Sequence, residues 1–492
     1  MPTLNEQAIQ AGSRCTRRIW LDEHEPKPRP SLWRVGRALQ RSDLLATYAE
    51  VHEIVDVVAR HQSWTERLSE TANKLSAGAN DIIGACFEGA GVRATVDHIR
   101  RTDSGWVISS VRAAANAKST YTASLAHAMW VMTQCGMTVT DAEIVTIDPH
   151  WTTDQSSGPF LTKRVSSSAE TRCTQLDDLI PRLIGALASD KPDPTAGSHC
   201  FKPIPCPHFQ QCQPTEPKHG LRELYRVKAK ILKQLDAQGI TQIGDIPDTT
   251  ALPSIAERQR QAHASGEVAV SSRLRDALSQ ISRPTVYIDF EAIQPAIPPW
   301  PQARPFGVIP VQVSIHTLDE DDQLTHLEWL ARPGQDPRPG LARFLADHLS
   351  NDATLVAYHS SFELNVLQRL EEFCHPEEAE VLAQARSRFV DMLPMVREHV
   401  YHPDFKGKFS LKSVVEALIP EFSYRDLEIR RGDEASLILE AHCRGKAEAF
   451  GWSEQEREAA LLAYCGRDTL VMVHLEAILR ELVGRSEGPH ST

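Results

Sequence analysis

Apolar and polar side chains alternate through Val286-Tyr287-Ile288-Asp289-Phe290-Glu291. A period of two predicts a strand over 285–291, with Val286, Ile288 and Phe290 on one face and Asp289 and Glu291 on the other. Apolar runs predict two more strands, over 308–316 and 354–358. Helices are predicted over 340–350, 362–373, 378–386, 409–418 and 455–483. Strands interleaved with helices in this way signal an α/β domain, here over 284–484. Upstream, residues 34–80 have few breakers and read as helical. Residues 91–112 read as a hairpin whose strands, 92–97 and 106–111, flank a turn at Asp103-Ser104-Gly105. Helical spacing resumes over 121–135, and 221–283 read as all-helical, with Leu224, Val227, Ile231 and Leu235 as an apolar stripe. Proline-rich stretches at 26–30, 192–194, 214–217 and 295–310 mark connections. The pattern divides the chain into an N-terminal domain (1–215), a helical connecting region (216–283), the α/β domain (284–484) and a polar tail (485–492).

The 492 residues exceed what one hydrophobic core organises, which agrees with this division. With 41% hydrophobic and 24% charged residues, the composition is that of an ordinary soluble protein. A net charge of -12 is not the basic footprint of a typical nucleic-acid binder. It leaves only local basic strips: Arg14, Arg17 and Arg18; Lys228, Lys230 and Lys233; Lys406, Lys408 and Lys412. The first 20 residues are polar, and no apolar run approaches the roughly 20 residues of a membrane span. A cytoplasmic protein with no membrane partner is expected. Its ten cysteines are then expected as reduced thiols or metal ligands.

A chance Asp-x-Glu arises roughly once per 300 positions at ordinary acidic content, so Asp289 and Glu291 alone decide nothing. Far downstream, however, Tyr464 and Asp468 stand four apart on a predicted helix and share its face. Glu363 follows the third strand at a strand-to-helix junction, where α/β proteins place their chemistry. Carboxylates and a phenol delivered from a strand and distant helices are the parts of a two-metal phosphodiester-cleaving site. The bland alternative for the same residues is helix capping or surface solvation.

The order of these motifs resembles the DEDD exonucleases, which have an RNase H-like fold. Asp289 and Glu291 match that family's first pair, Glu363 its third carboxylate, Asp468 its fourth, and Tyr464 its tyrosine subclass. Phe389-Val390-Asp391-Met392-Leu393 and Ser410-Leu411-Lys412 resemble further stretches of it. The resemblance implies two Mg²⁺ or Mn²⁺ ions held by Asp289, Glu291, Glu363 and Asp468, with Tyr464 orienting the attacking water. One departure stands out: Glu363 replaces the family's Asp, and His359 or Ser360 its Asn.

Cys15, Cys200, Cys206 and Cys212 make a possible metal set, the last three spaced by five residues each. One distant N-terminal cysteine with three later ones resembles the iron–sulfur arrangement of RecB-type nucleases of the PD-(D/E)xK class. That likeness implies a 4Fe–4S cluster, with zinc as second choice. In that family's pattern Asp97 fits the metal-binding Asp. Ser110-Val111-Arg112 replaces Glu-Val-Lys, Ala128 the helical Gln, and Gly84 the upstream Glu. One remaining carboxylate cannot hold Mg²⁺, and Arg112 cannot act as a base. The N-terminal half therefore reads as a degenerate nuclease-like α/β domain. The whole arrangement resembles the family called domain of unknown function 2779, which couples such a region to an Asp-Phe-Glu domain. The expected activity is a metal-dependent nuclease, a 3′–5′ exonuclease on DNA or RNA. The alternative is a non-catalytic nucleic-acid-binding scaffold built from two decayed nuclease folds.

Overall fold

A computed structural model describes residues 3–27, 31–59, 62–194, 197–201, 205–212, 218–349 and 352–486. These form a mixed α/β structure that divides into two units. The first comprises Met1–Thr215 with Gln294–Gly307, the second Glu216–Ile293 with Val308–Thr492.

In the first unit, β1 (Asp81–Gly89), β2 (Val92–Thr102), β3 (Gly105–Val111), β4 (Val139–Ile147) and β5 (Phe160–Arg164) pair in sequential order. All pairs are antiparallel except β3 with β4. A parallel pair needs a crossover, which the helix Ser119–Gln134 supplies. The middle of that helix, from Ser124 to Met132, is buried because it packs between the sheet and the helix Ser166–Ala188. The hairpin expected over 91–112 is β2 and β3. The flanking β1, β4 and β5 escaped the sequence reading. The single helix expected over 34–80 is instead two, Ser31–Val51 and Trp64–Ser76. A reciprocal capping box between Ser63 and Glu66 starts the second afresh. Ile297 and Phe306 of the proline-rich segment pack on Leu44, Leu45 and Tyr48 in this unit.

The second unit holds β6 (Ala269–Val270), β7 (Thr285–Ile293), β8 (Ile309–Leu318), β9 (Leu324–Leu330), β10 (Thr354–Ala357), β11 (Phe389–Asp391) and β12 (Val400–Tyr401). Its main sheet has the order β11-β10-β7-β8-β9, in which only β8 runs against the others, while β6 pairs with β12. On one face Val286, Ile288 and Phe290 of central β7 bury against Leu341, Leu345, Val366, Leu367 and Leu382 from three helices. Each such side chain contributes roughly 1.5–3 kcal/mol, so the register of β7 is firmly fixed.

The long helix Glu454–Ser486 covers the opposite, polar face. Gln312 Nε2 donates to the Leu461 carbonyl at 2.8 Å. Thr469 Oγ1 meets Ser314 Oγ at 2.7 Å and His316 Nδ1 at 2.8 Å. Tyr287 donates its hydroxyl to Glu476.

The region 216–283 is not all-helical. Its α-helices are Ala229–Ala237, Ser254–Ser265 and Leu274–Leu278, and Leu224 and Val227 lie outside them. The stripe is still apolar for a reason: all four residues join Leu221, Ile243 and Ile246 in one small core. Among the described residues no helix is long and apolar enough to cross a membrane.

Candidate metal centre

Period-two geometry in β7 puts Asp289 and Glu291 on the face covered by the long helix. A bulge directly after Glu291 shifts the register with β8, a local distortion that re-aims side chains beside functional sites. The helix delivers Asp468 to the same place. Ligand oxygens of Asp289, Glu291 and Asp468 all lie within 4.8 Å of one another. Glu363, in the first turn of the helix Ser361–Leu370, stands outside this group of three. It is near enough that its charge raises the Asp289 carboxyl. Glu363 is only 4% exposed, and its Oε2 is buried without a hydrogen-bond partner.

Burial and mutual repulsion dominate the electrostatics. Asp289 is pushed well above the usual carboxylate range by burial, then by Asp468, Glu291 and Glu363. Burial followed by Asp468 pushes Glu291 up to about 8. Burial moves Glu363 to about 7 and Asp468 to about 6. Acids held this close resist ionising together unless a cation joins them. All-oxygen donors, a buried partnerless Oε2 and raised carboxyls fit a hard divalent ion such as Mg²⁺ or Mn²⁺.

Three neighbours complete the site. The Tyr424 hydroxyl donates to Asp468 Oδ1 and fixes that carboxylate. Lys412 Nζ donates to the Tyr464 hydroxyl at 2.8 Å and lies 4.5 Å from both tyrosine ring centroids. Cys465 Sγ is 3.8 Å from Asp289 Oδ2, and burial with the adjacent acids keeps its thiol protonated. The phenol of Tyr464, buried beside the same acids, is likewise pushed far up. Behind the site, Asp391 binds the β10-to-helix junction: it accepts from His359 N at 2.8 Å and Ser360 N at 3.2 Å. It also caps the next helix through Leu393 N at 2.9 Å. His359 needs that anchoring because its φ is 75°, a conformation uncommon outside glycine. Sequence reasoning gave Lys412 no role beyond a basic strip and Cys465 none, and it passed over Tyr424. Their positions come from tertiary packing, which no local spacing encodes.

In the first unit Cys15, Cys200, Cys206 and Cys212 line one small cavity together with Arg14, Arg18, His199 and His208. Burial raises the Cys206 thiol, and Cys200 and Cys212 add to that. His199, which sequence reasoning left unassigned, has a buried Nε2 with no partner. The sequence-predicted remnants of a nuclease site also converge. Asp97, Ser110, Arg112 and Ala128 line a cavity of about 300 Å³ with Arg41 and Arg67. Asp97 there pairs with Arg41 and accepts from Val111 N at 3.1 Å. Gly84 occupies a left-handed position in β1, where a Cβ would come within 3.2 Å of the Val58 carbonyl.

Relatives among curated proteins include an uncharacterized MG366 homolog of Mycoplasma pneumoniae, 22% identical over 234 residues, covering 44% of this chain and 35% of that one. Another is the uncharacterized protein UU173 of Ureaplasma parvum, 23% identical over 233 residues, covering 43% of this chain and 33% of that one. The chain thus spans about a third of the length of the curated relatives it matches. No solved structure matches it. Residues 286–410, the stretch that carries Asp289, Glu291 and Glu363, match the family described as Domain of unknown function (DUF2779).

Proposed function

We propose that this protein is a metal-dependent nuclease, acting as a 3′–5′ exonuclease on DNA or RNA through Asp289, Glu291, Glu363 and Asp468. One observation carries the reading: a central strand and a distant helix bring three carboxylates within 4.8 Å of one another. A sheet whose first strand is central and whose second alone is reversed supports the RNase H-like assignment of this unit. When bound, divalent ions at such a site supply Lewis acidity to the attacking water and to the leaving oxygen.

The remaining roles belong to the chain. Tyr464 stays a neutral phenol; it accepts from Lys412 and so keeps its own proton to orient water. Lys412 contributes positive charge beside the acids, suited to a phosphodiester. The Asp97 cavity suits a substrate-holding role. Three arginines and the hydroxyls of Thr95, Ser109, Ser110 and Ser124 line it, and Arg41 neutralises its one remnant ligand. The four cysteines in one cavity support an iron–sulfur cluster in the same unit, with zinc second.

The Asp97–Arg41 pair, and Glu363 outside the group of three, favour a second reading: a nucleic-acid-binding scaffold without catalysis. End-labelled single strands separate the two. Wild-type protein with Mn²⁺ should release nucleotides, and Asp289→Ala should lower the rate at least ~100-fold, the scale of losing a principal catalytic group. Equal activity in the variant would remove the site. Binding without cleavage by the wild type would establish the scaffold.

A further inference from the structure

A second cluster of metal-competent side chains lies in the region between His219 and His263, well away in sequence from every carboxylate discussed above. Ligand atoms of His219, Glu223 and His263 all lie within 4.8 Å of one another. His219 Nδ1 stands 3.6 Å from Glu223 Oε2, and the two imidazole centroids are 4.6 Å apart. His219 Nδ1, Glu223 Oε2 and His263 Nε2 are each buried, and none has a hydrogen-bond partner. One such atom is unfavourable; three in one cluster of ligand residues call for a shared partner.

The backbone around them is held firmly, so their placement is not the slack of a loose loop. His219 adopts a φ of 63°, a conformation that non-glycine residues keep where the surroundings over-determine it. Its carbonyl accepts from Ile243 N at 3.0 Å. The Glu223 carbonyl accepts from buried Gln259 Nε2 at 3.0 Å, and Gln259 also donates to Tyr401 at 2.9 Å. Gly407 packs so closely that a Cβ there would fall 2.1 Å from the same carbonyl. His263 comes from the last turn of the helix Ser254–Ser265.

We infer that His219, Glu223 and His263 form a metal centre of their own that binds one borderline divalent cation, Zn²⁺ or an ion of its class. Two imidazoles and one carboxylate suit such an ion, whereas the all-oxygen set around Asp289 suits Mg²⁺ or Mn²⁺. Three protein ligands leave a fourth position for water. The ion would clamp the turn at His219 to the helix Ser254–Ser265 across the small apolar core that includes Leu221, Ile243 and Ala256.

The test uses tag-free full-length protein, stripped with chelator, titrated with ZnCl₂ and dialysed before elemental analysis. His263→Ala and Glu223→Gln should each retain one zinc fewer than wild type, and Asp289→Ala should retain the wild-type number. Zinc content unchanged in His263→Ala and Glu223→Gln would overturn the assignment. Should His263→Ala fold poorly, Glu223→Gln with Co²⁺ replaces it as the readout. Wild-type protein should then show visible d–d bands that the variant lacks, and identical spectra would overturn the site. Because this outcome is read from metal content, it is independent of nuclease activity.

Discussion

Glu363 places an acid with a partnerless oxygen in a nearly dry position beside another carboxylate. Burial raises it from an ordinary 4.5 to about 7, so the folded protein holds this proton more tightly than the unfolded chain does. Its contribution to stability is therefore complete below about 4.5 and is lost as pH rises through 7. By pH 8 the buried charge costs roughly 3 kcal/mol when no cation is present, at 1.36 kcal/mol per unit. Glu363→Gln keeps the shape and removes the charge. Metal-free Glu363→Gln should be more stable than wild type by up to ~3 kcal/mol at pH 8 in urea denaturation, and the difference should shrink below ~1 kcal/mol at pH 5 and vanish near pH 4. The same variant should lose Mn²⁺-dependent cleavage. A variant no more stable than wild type at pH 8 would mean that water already relieves the charge.

Elements differ in how openly the sequence announces them. The strand β7 was legible because one face meets an apolar core and the other a polar site, which writes a period of two into its residues, and the helix Glu454–Ser486 because it runs long without a proline. The edge strand β9 was not: Leu324 and Leu327 are 45% and 40% exposed, so no buried face disciplines its pattern. The three residues of β11 are too few to show any period. Leu224 and Val227 kept helical spacing without a helix because they serve the same core as Ile231 and Leu235. Of the candidate site, the acids were readable from motif and junction, whereas Tyr424 and Lys412 reach it only through the fold. The cysteines raise the same issue, since Cys15 precedes the helix Thr16–His24 while Cys200, Cys206 and Cys212 lie in short segments far along the chain. A cluster bound by all four would clip these elements together and close a loop of about 190 residues, whose entropy in the unfolded chain is large. Protein purified without oxygen should be brown and contain iron and sulfide, and Cys15→Ala should lose the colour and unfold at lower temperature. Colourless protein with one zinc in this cavity would replace the cluster by its alternative.

At the scale of the whole molecule, a chain with net charge -12 brings three acids within 4.8 Å of one another at a single site, with Glu363 close enough to raise one of them. Glu291, Glu363 and Asp468 are raised to about 8, 7 and 6, all above their ordinary values. Between about pH 4.5 and 8 these acids therefore hold more protons in the folded unit than in its unfolded chain, and they lower its stability as pH rises. His316 works in the opposite direction. Burial lowers it to about 4, so its neutral ring favours folding above 6.5 and that gain is lost as pH falls toward 4. The metal-free unit should thus lose stability most steeply above about pH 6.5, where His316 no longer offsets the acids, and its melting temperature should drop by several degrees by pH 8. Bound cations would remove the cause of the alkaline loss, because ionised carboxylates are what they require. Saturating Mn²⁺, which at 100 times its dissociation constant adds about 2.7 kcal/mol, should raise the melting temperature most at pH 8 and least at pH 5. Scanning calorimetry with chelator and with Mn²⁺ reads both slopes directly. A melting temperature in chelator that climbs steadily from pH 5 to 8 would show that these acids do not share one crowded site, and the metal-binding reading would fall with it.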